Sequence, residues 1–169
     1  IRKQQNRIAL GCFFFLCGFC FSTWASRIPT IMTLFEMNEA QLGSFLFILP
    51  ISSLIGLPLS AWIVSKFDSR YLLFFGFLLF ATALFGIGVS GQIEHLIFAV
   101  ALFALGLRAI NISMNTQAIQ LQKLYKKKIN GKFHGFWSLG GLCGLIFATL
   151  IINLKIITTI LQMEHLSNT

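Results

Sequence analysis

Charge is what this chain has least of. Only 11% of its 169 residues are Asp, Glu, Lys or Arg, and five of those are acidic. A soluble domain of this length is about a quarter charged, so most of this surface is built to face something other than water. There is also no Walker-type phosphate loop, no nucleophile elbow and no pair of neighbouring carboxylates. Without those the chain does not read as an enzyme. Its three histidines, His95, His134 and His165, fall in separate segments, and Cys12, Cys17, Cys20 and Cys143 all lie inside apolar runs. Cys17-x-x-Cys20 has no second cysteine pair, no nearby histidine and no soluble βαβ context. It reads as small residues for helix packing, and neither a metal site nor a cofactor is expected. The net charge of +8 sits in clusters at alternate ends of apolar runs. That is the distribution of cytoplasmic loops rather than of a nucleic-acid face, so no nucleic-acid partner is expected.

What is present in quantity is hydrocarbon: 56% hydrophobic residues, 19 of the 169 being phenylalanine, and a mean hydropathy of +0.81. The apolar runs approach or exceed the ~20 residues that cross a bilayer core of about 30 Å. The expected fold is all-α, a polytopic transmembrane bundle over 8–154 with about five spans, placed at 8–27, 41–64, 71–89, 95–121 and 136–153. A segment 1–7 precedes it and a tail 155–169 follows. Pro29 is expected to end the first span, and Asn38 or Glu39 to lie near the start of the second. Pro50 and Pro58 each remove a backbone donor and should bend that second span. In a bilayer such breaks survive where neighbouring helices or water satisfy the freed carbonyls. The fourth span is longer than the hydrocarbon is thick, so it projects or tilts. In the tail, Ile156 to Met163 is too short an apolar run to span, and reads either as the start of a sixth helix or as an unrelated tail. The chain opens at Ile1, so the true start is expected to lie upstream. Ile8 to Phe21 lacks a following cleavage site and reads as a retained span, not a signal peptide.

Basic residues set the orientation. Arg2, Lys3 and Arg7 precede the first span; Lys66 and Arg70 join the second and third; Lys123, Lys126, Lys127, Lys128 and Lys132 join the fourth and fifth. The opposite ends offer Arg27 and Lys155. All three clusters place the N-terminus and both basic loops in the cytoplasm of a multi-pass protein of the inner (plasma) membrane. The lysine run 126–128 also suits contact with anionic lipid headgroups.

Three stretches carry a family resemblance. Val64-Ser65-Lys66-Phe67-Asp68-Ser69-Arg70 resembles the short basic loop between the second and third helices of major facilitator superfamily transporters. Ala61 and Asp68 stand where that loop has glycines, and Ser65 where it has aspartate. Trp24-Ala25-Ser26-Arg27-Ile28-Pro29, and Met114-Asn115-Thr116-Gln117-Ala118 leading to Phe133-His134-Gly135-Phe136-Trp137-Ser138-Leu139-Gly140-Gly141, resemble the fucose-permease-like branch. Asn111 and Gln122 occupy positions that are often acidic in that branch. The resemblance covers about 8–150. It implies a fold of two six-helix halves of which this chain holds most of the first, a gating role for Ser65, Lys66, Asp68 and Arg70, and spans 1 and 4 lining a central cavity. It further implies a partner half, from a missing C-terminal stretch or a separate chain.

The residues that bear chemistry concentrate in Leu105 to Gly144. On a helix, Arg108, Asn111, Asn115 and Gln122 fall within about 60° of one another, with Ser113, Gln117 and Gln120 roughly opposite. A charge facing lipid at mid-span costs about 2.5–3.5 kcal/mol on insertion scales. Arg108 therefore faces a polar cavity or a partner, and must find backbone carbonyls, water, an acid from the missing half or an anionic substrate. No acid lies in any span to meet it, since Glu36, Glu39, Asp68, Glu94 and Glu164 all lie outside them. Two readings stand open: Arg108 binds cargo or takes part in coupling, or it braces spans by bonding carbonyls. Asn111 and Asn115 are orienting groups on the first reading and helix-to-helix glue on the second. Trp24 and Arg27 read either as an interfacial anchor or as a substrate-facing pair. His134 and Trp137 read either as an interfacial belt or as part of proton coupling. Gly140-x-x-x-Gly144 reads as packing.

The expectation from sequence is a secondary active transporter fragment, a symporter on the family analogy, moving a small polar solute, a sugar among the candidates, by alternating access. Its partners are the lipid bilayer, that solute and a second half. The rivals are a non-transporting scaffold or assembly subunit, the inactive product of a truncated gene and, least favoured, a membrane-embedded enzyme.

Overall fold

The computed structural model describes residues 2–125 and 129–167, and the side chains of 4–125 and 129–154. Lys126, Lys127 and Lys128 lie outside the described residues, as do the side chains of Arg2, Lys3, Lys155, Glu164 and His165. Among the described residues seven helices follow in order: α1 Arg2–Ala25, α2 Ile28–Leu34, α3 Glu39–Leu46, α4 Ile48–Lys66, α5 Ser69–Val89, α6 Ile93–Tyr125 and α7 Asn130–Ser167. They combine into five segments long and apolar enough to cross a membrane: Gln4–Leu34, Glu39–Lys66, Ser69–Val89, Ile93–Tyr125 and Asn130–Leu154. The all-α bundle of five spans is therefore the observed architecture.

The breaks have chemical causes. Pro29 does not end the first apolar segment. It sits in the first turn of α2, where a missing N–H costs nothing, and the interruption falls just before it, at Ser26 and Arg27. Asn38 starts α3 with a capping box, accepting from Gln41 N at 2.9 Å while Gln41 Oε1 accepts from Asn38 N at 2.9 Å. Pro50 cannot donate to the Leu46 carbonyl, and the chain divides at Phe47 into α3 and α4. Pro58, by contrast, stays inside an unbroken α4. The backbone of α7 remains helical past residue 154 to Ser167.

α6 is the centre of the bundle, packing on α5, α4, α1 and α7. Its interior face runs through Val100, Phe103, Ile110 and Met114, all fully buried. Large side chains such as Leu54 and Phe85 are 73% and 72% exposed, an arrangement suited to a lipid environment. Two helix pairs approach backbone to backbone. A β-carbon at Gly18 would collide with the Trp137 carbonyl, and one at Gly140 or Gly144 with the carbonyls of Phe15 or Phe19, so α1 and α7 lie in direct contact. A β-carbon at Gly106 would come within 2.9 Å of Phe80 N, which sets the α5–α6 approach.

Candidate functional site

Each neighbour of α6 takes a sector of its surface. On α4 the buried residues are Ser52, Gly56 and Ser60, a stripe of small residues four apart. Gly56 faces Leu105 and the stem of Arg108, whose Cβ and Cγ lie 3.3 Å from the place a glycine β-carbon would occupy. α5 approaches through Gly76 against Ala109 and Ile110, and through Phe80 against Gly106 and Phe103. α1 approaches through Trp24, whose ring centroid is 5.0 Å from that of Phe103. At about 100° per residue, Asn111 and Asn115 fall in the sector left between α1 and α4, and Arg108 lies at its α4 edge.

All three polar side chains are half-buried. Asn115 Nδ2 donates to the Asn111 carbonyl at 2.8 Å, one turn back on the same helix. The Asn111 side chain has no partner among the described residues. Arg108 makes neither ion pair nor hydrogen bond among them, and its Nε is fully buried. Gln122 plays a different part. Its Oε1 accepts from the backbone N–H of Ile129 at 3.1 Å and of Asn130 at 3.4 Å, tying the end of α6 to the start of α7. Ser113 Oγ and Gln117 Nε2, on the far side of α6, are buried without partners.

Trp24 lies inside the bundle, 3% exposed, with its indole N–H unpartnered. Burial of that degree removes the lipid-interface anchor as its role, whereas Arg27 remains half-buried at the break before α2. Phe21 links the two expected tryptophans, its centroid 6.0 Å from Trp24 and 6.2 Å from Trp137. Trp137 also lines an open groove of about 520 Å3 with Ser22, Ser26 and Ser138. His134 is exposed and meets Phe14 edge-on at 5.6 Å. The structure therefore assembles two groups, a polar stripe on α6 beside α4 and an aromatic wall between α1 and α7.

In the loop between α4 and α5, Asp68 caps α5 by accepting from Arg70 N at 2.9 Å, and Ser65 Oγ donates to the Trp62 carbonyl at 2.7 Å. Lys66 closes α4, and Arg70 is exposed. A further cavity of about 390 Å3 lies between α1, α5 and α6, bounded by Asn6, Arg70, Gln117 and Gln120 among apolar side chains. It contains neither Arg108 nor either asparagine. Sequence reasoning missed Gly56, which admits the arginine stem. The four-residue spacing of Ser52, Gly56 and Ser60 was its available signal.

Comparison with known proteins supplies the family. The chain is 26% identical over 131 residues to an uncharacterized transporter, y4wD, of Sinorhizobium fredii, a match covering 78% of this chain and 35% of that protein. It is 25% identical over 150 residues to an uncharacterized MFS-type transporter of Yersinia pestis, covering 88% and 39%. It is 29% identical over 144 residues to the membrane protein MosC of Rhizobium meliloti, covering 85% and 35%. The matches thus span between 35% and 39% of these relatives' lengths. No solved structure matches. The family model for the Major Facilitator Superfamily covers residues 1–154, which takes in all five membrane-spanning segments, and the chain belongs to that superfamily.

Proposed function

We propose that this chain forms part of a secondary carrier that moves a small polar solute across the cytoplasmic membrane by alternating access, with its N-terminus in the cytoplasm. The observation that carries the reading is the half-buried stripe Arg108, Asn111 and Asn115 on the central helix, flanked by α1 and α4. Polar groups at mid-span are costly in lipid and accumulate where a water-filled path needs them. Carriers built from helix repeats bind solute near the bilayer midplane. Arg108 is fifteen residues into a 33-residue helix, about 22 Å from its start at 1.5 Å per residue, which is close to that depth. Asn111, with a free amide, is the orienting group. Phe21 and Trp137, both half-buried beside the buried Trp24, form an apolar wall suited to the less polar face of a solute such as a sugar. On this reading the other side of the cavity belongs to a second helical half, and symport is the coupling mode that the family resemblance favours.

The test is solute uptake by proteoliposomes that contain the intact protein of which this sequence is part. Asn111→Ala should reduce uptake at least about tenfold with expression unchanged, the size expected when one charged or well-oriented hydrogen bond is lost. Uptake no greater than that of empty liposomes, across a broad panel of polar solutes, would favour a scaffolding protein instead.

A further inference from the structure

We infer that the solute bound at Arg108 is an anion, carrying a carboxylate or phosphate that the guanidinium grips; this rests on the carrier reading above. Three observations converge on it. First, Arg108 has no counter-charge within the described bundle. On α6 itself, Glu94 lies fourteen residues away, about 21 Å along the helix axis. Asp68 lies twelve residues beyond Gly56, the α4 residue against Arg108, about 18 Å along that strand of helix, and it is occupied in capping α5. Glu36 and Glu39 sit at the same end of the bundle as the start of α6, before or within the first turn of α3. None of these reaches the guanidinium.

Second, the bland alternative, in which Arg108 braces helices by bonding carbonyls, is not what the geometry provides. No carbonyl lies in hydrogen-bonding range of any of its nitrogens among the described residues, although Nε is fully buried. Third, the stem packs closely on α4: a β-carbon at Gly56 would lie 3.3 Å from the arginine Cβ and Cγ, a tight contact, and the buried Ser52 and Ser60 continue that small-residue stripe on either side. An arginine whose stem packs on Gly56 and whose buried Nε has no partner among the described residues suits a planar, two-oxygen ligand. A neutral sugar offers hydroxyls to such a group but does not neutralise it. An anion does both, and hydrogen bonds between two charged groups are about twice as strong as neutral ones. Asn111, one turn away with a free side chain, is placed to donate to the same ligand's remaining oxygens.

Arginine reactivity tests this without knowing the cargo. The intact protein is reconstituted in nanodiscs of phosphatidylcholine, so that no lipid carries net negative charge, and treated with phenylglyoxal. Modification of Arg108 is followed by mass spectrometry with galacturonate, galactose 6-phosphate or galactose present. The expected result is that Arg108 reacts, that one or both anions slow its modification about tenfold, and that galactose does not. The two anions separate carboxylate from phosphate recognition, and a second preparation containing phosphatidylglycerol shows whether a lipid headgroup protects the same residue. An Arg108 that resists the reagent in every condition is held by a protein group or by hydrocarbon, and that overturns the anion site. Equal protection by galactose, or protection by phosphatidylglycerol alone, overturns it as well. Uptake measured on the same preparation keeps the two readings apart: charge-blind Arg108 in a protein that still moves solute sinks the anion assignment only, whereas absence of uptake for charged and neutral solutes alike sinks the carrier reading with it.

Discussion

Gly18 and Gly140 face backbone carbonyls across the α1–α7 contact, where no flexible side chain can give way. Gly140→Ala should therefore force the helices apart and lower stability by about 1–3 kcal/mol, the usual cost of overpacking a tight interface. Gly135→Ala, five residues earlier with nothing within 4 Å, is the control, and it should stabilise by about 0.5–1 kcal/mol through helix propensity. Thermal unfolding of both variants in detergent checks the difference; equal midpoints would mean that α1 and α7 are not in contact. At the start of α3, Asn38→Ala removes one half of a capping box and should cost about 1 kcal/mol in the same assay. Both features were partly legible. Gly140-x-x-x-Gly144 announced a close approach, and Asn38 announced a helix start, because glycine spacing and cap chemistry are local. The partner that Gly140 touches was not legible, since Phe15 is 125 positions distant in sequence and only the folded topology brings it near.

At the level of helices, hydrophobic length made the number of spans legible, because crossing about 30 Å of hydrocarbon imposes a minimum that composition cannot hide. Proline was a weaker guide. One residue type starts α2 at Pro29, divides α3 from α4 at Pro50 and is absorbed within α4 at Pro58, according to which carbonyl it leaves free and what covers it. The polar residues of α6 show the same limit. Helical spacing grouped Arg108, Asn111, Asn115 and Gln122 on one face, yet Gln122 turns out to hold the start of α7 while the other three lie beside α4 and α1. Spacing gives direction but not the neighbour. Gly56 is that neighbour for Arg108, and the pairing carries its own prediction. Gly56→Leu should push on Leu105 and on the arginine stem and so displace the guanidinium. Uptake should fall about tenfold or more, while Gly43→Leu, in open space, leaves it unchanged. Comparable uptake in both variants would separate Arg108 from the transport path.

Across the whole molecule, the two basic loops share one end of the bundle because the spans alternate in direction, and the positive-inside bias is the ground for the proposed orientation. Ten Lys and Arg residues lie at the α1 start, the α4–α5 turn and the α6–α7 connection, against Arg27 and Lys155 at the other end. The proposed orientation also bears on the candidate site, for with the N-terminus in the cytoplasm the break at Ser26 and Arg27, beside buried Trp24, would be the outer mouth of the α1–α6 contact. Cysteine labelling on intact cells decides it. Gly91→Cys, in the turn before α6, and Gly131→Cys, in the first turn of α7, both replace glycines with nothing within 4 Å, so neither substitution disturbs packing. The native thiols Cys12, Cys17, Cys20 and Cys143 all lie within membrane-spanning segments, and labelling of the protein without either substitution gives their background. Gly91→Cys should label on intact cells, and Gly131→Cys should label only after the membrane is opened. The reverse pattern would place the lysine-rich connection outside, and the charge bias that orients every other span in the bundle would then have failed in this one.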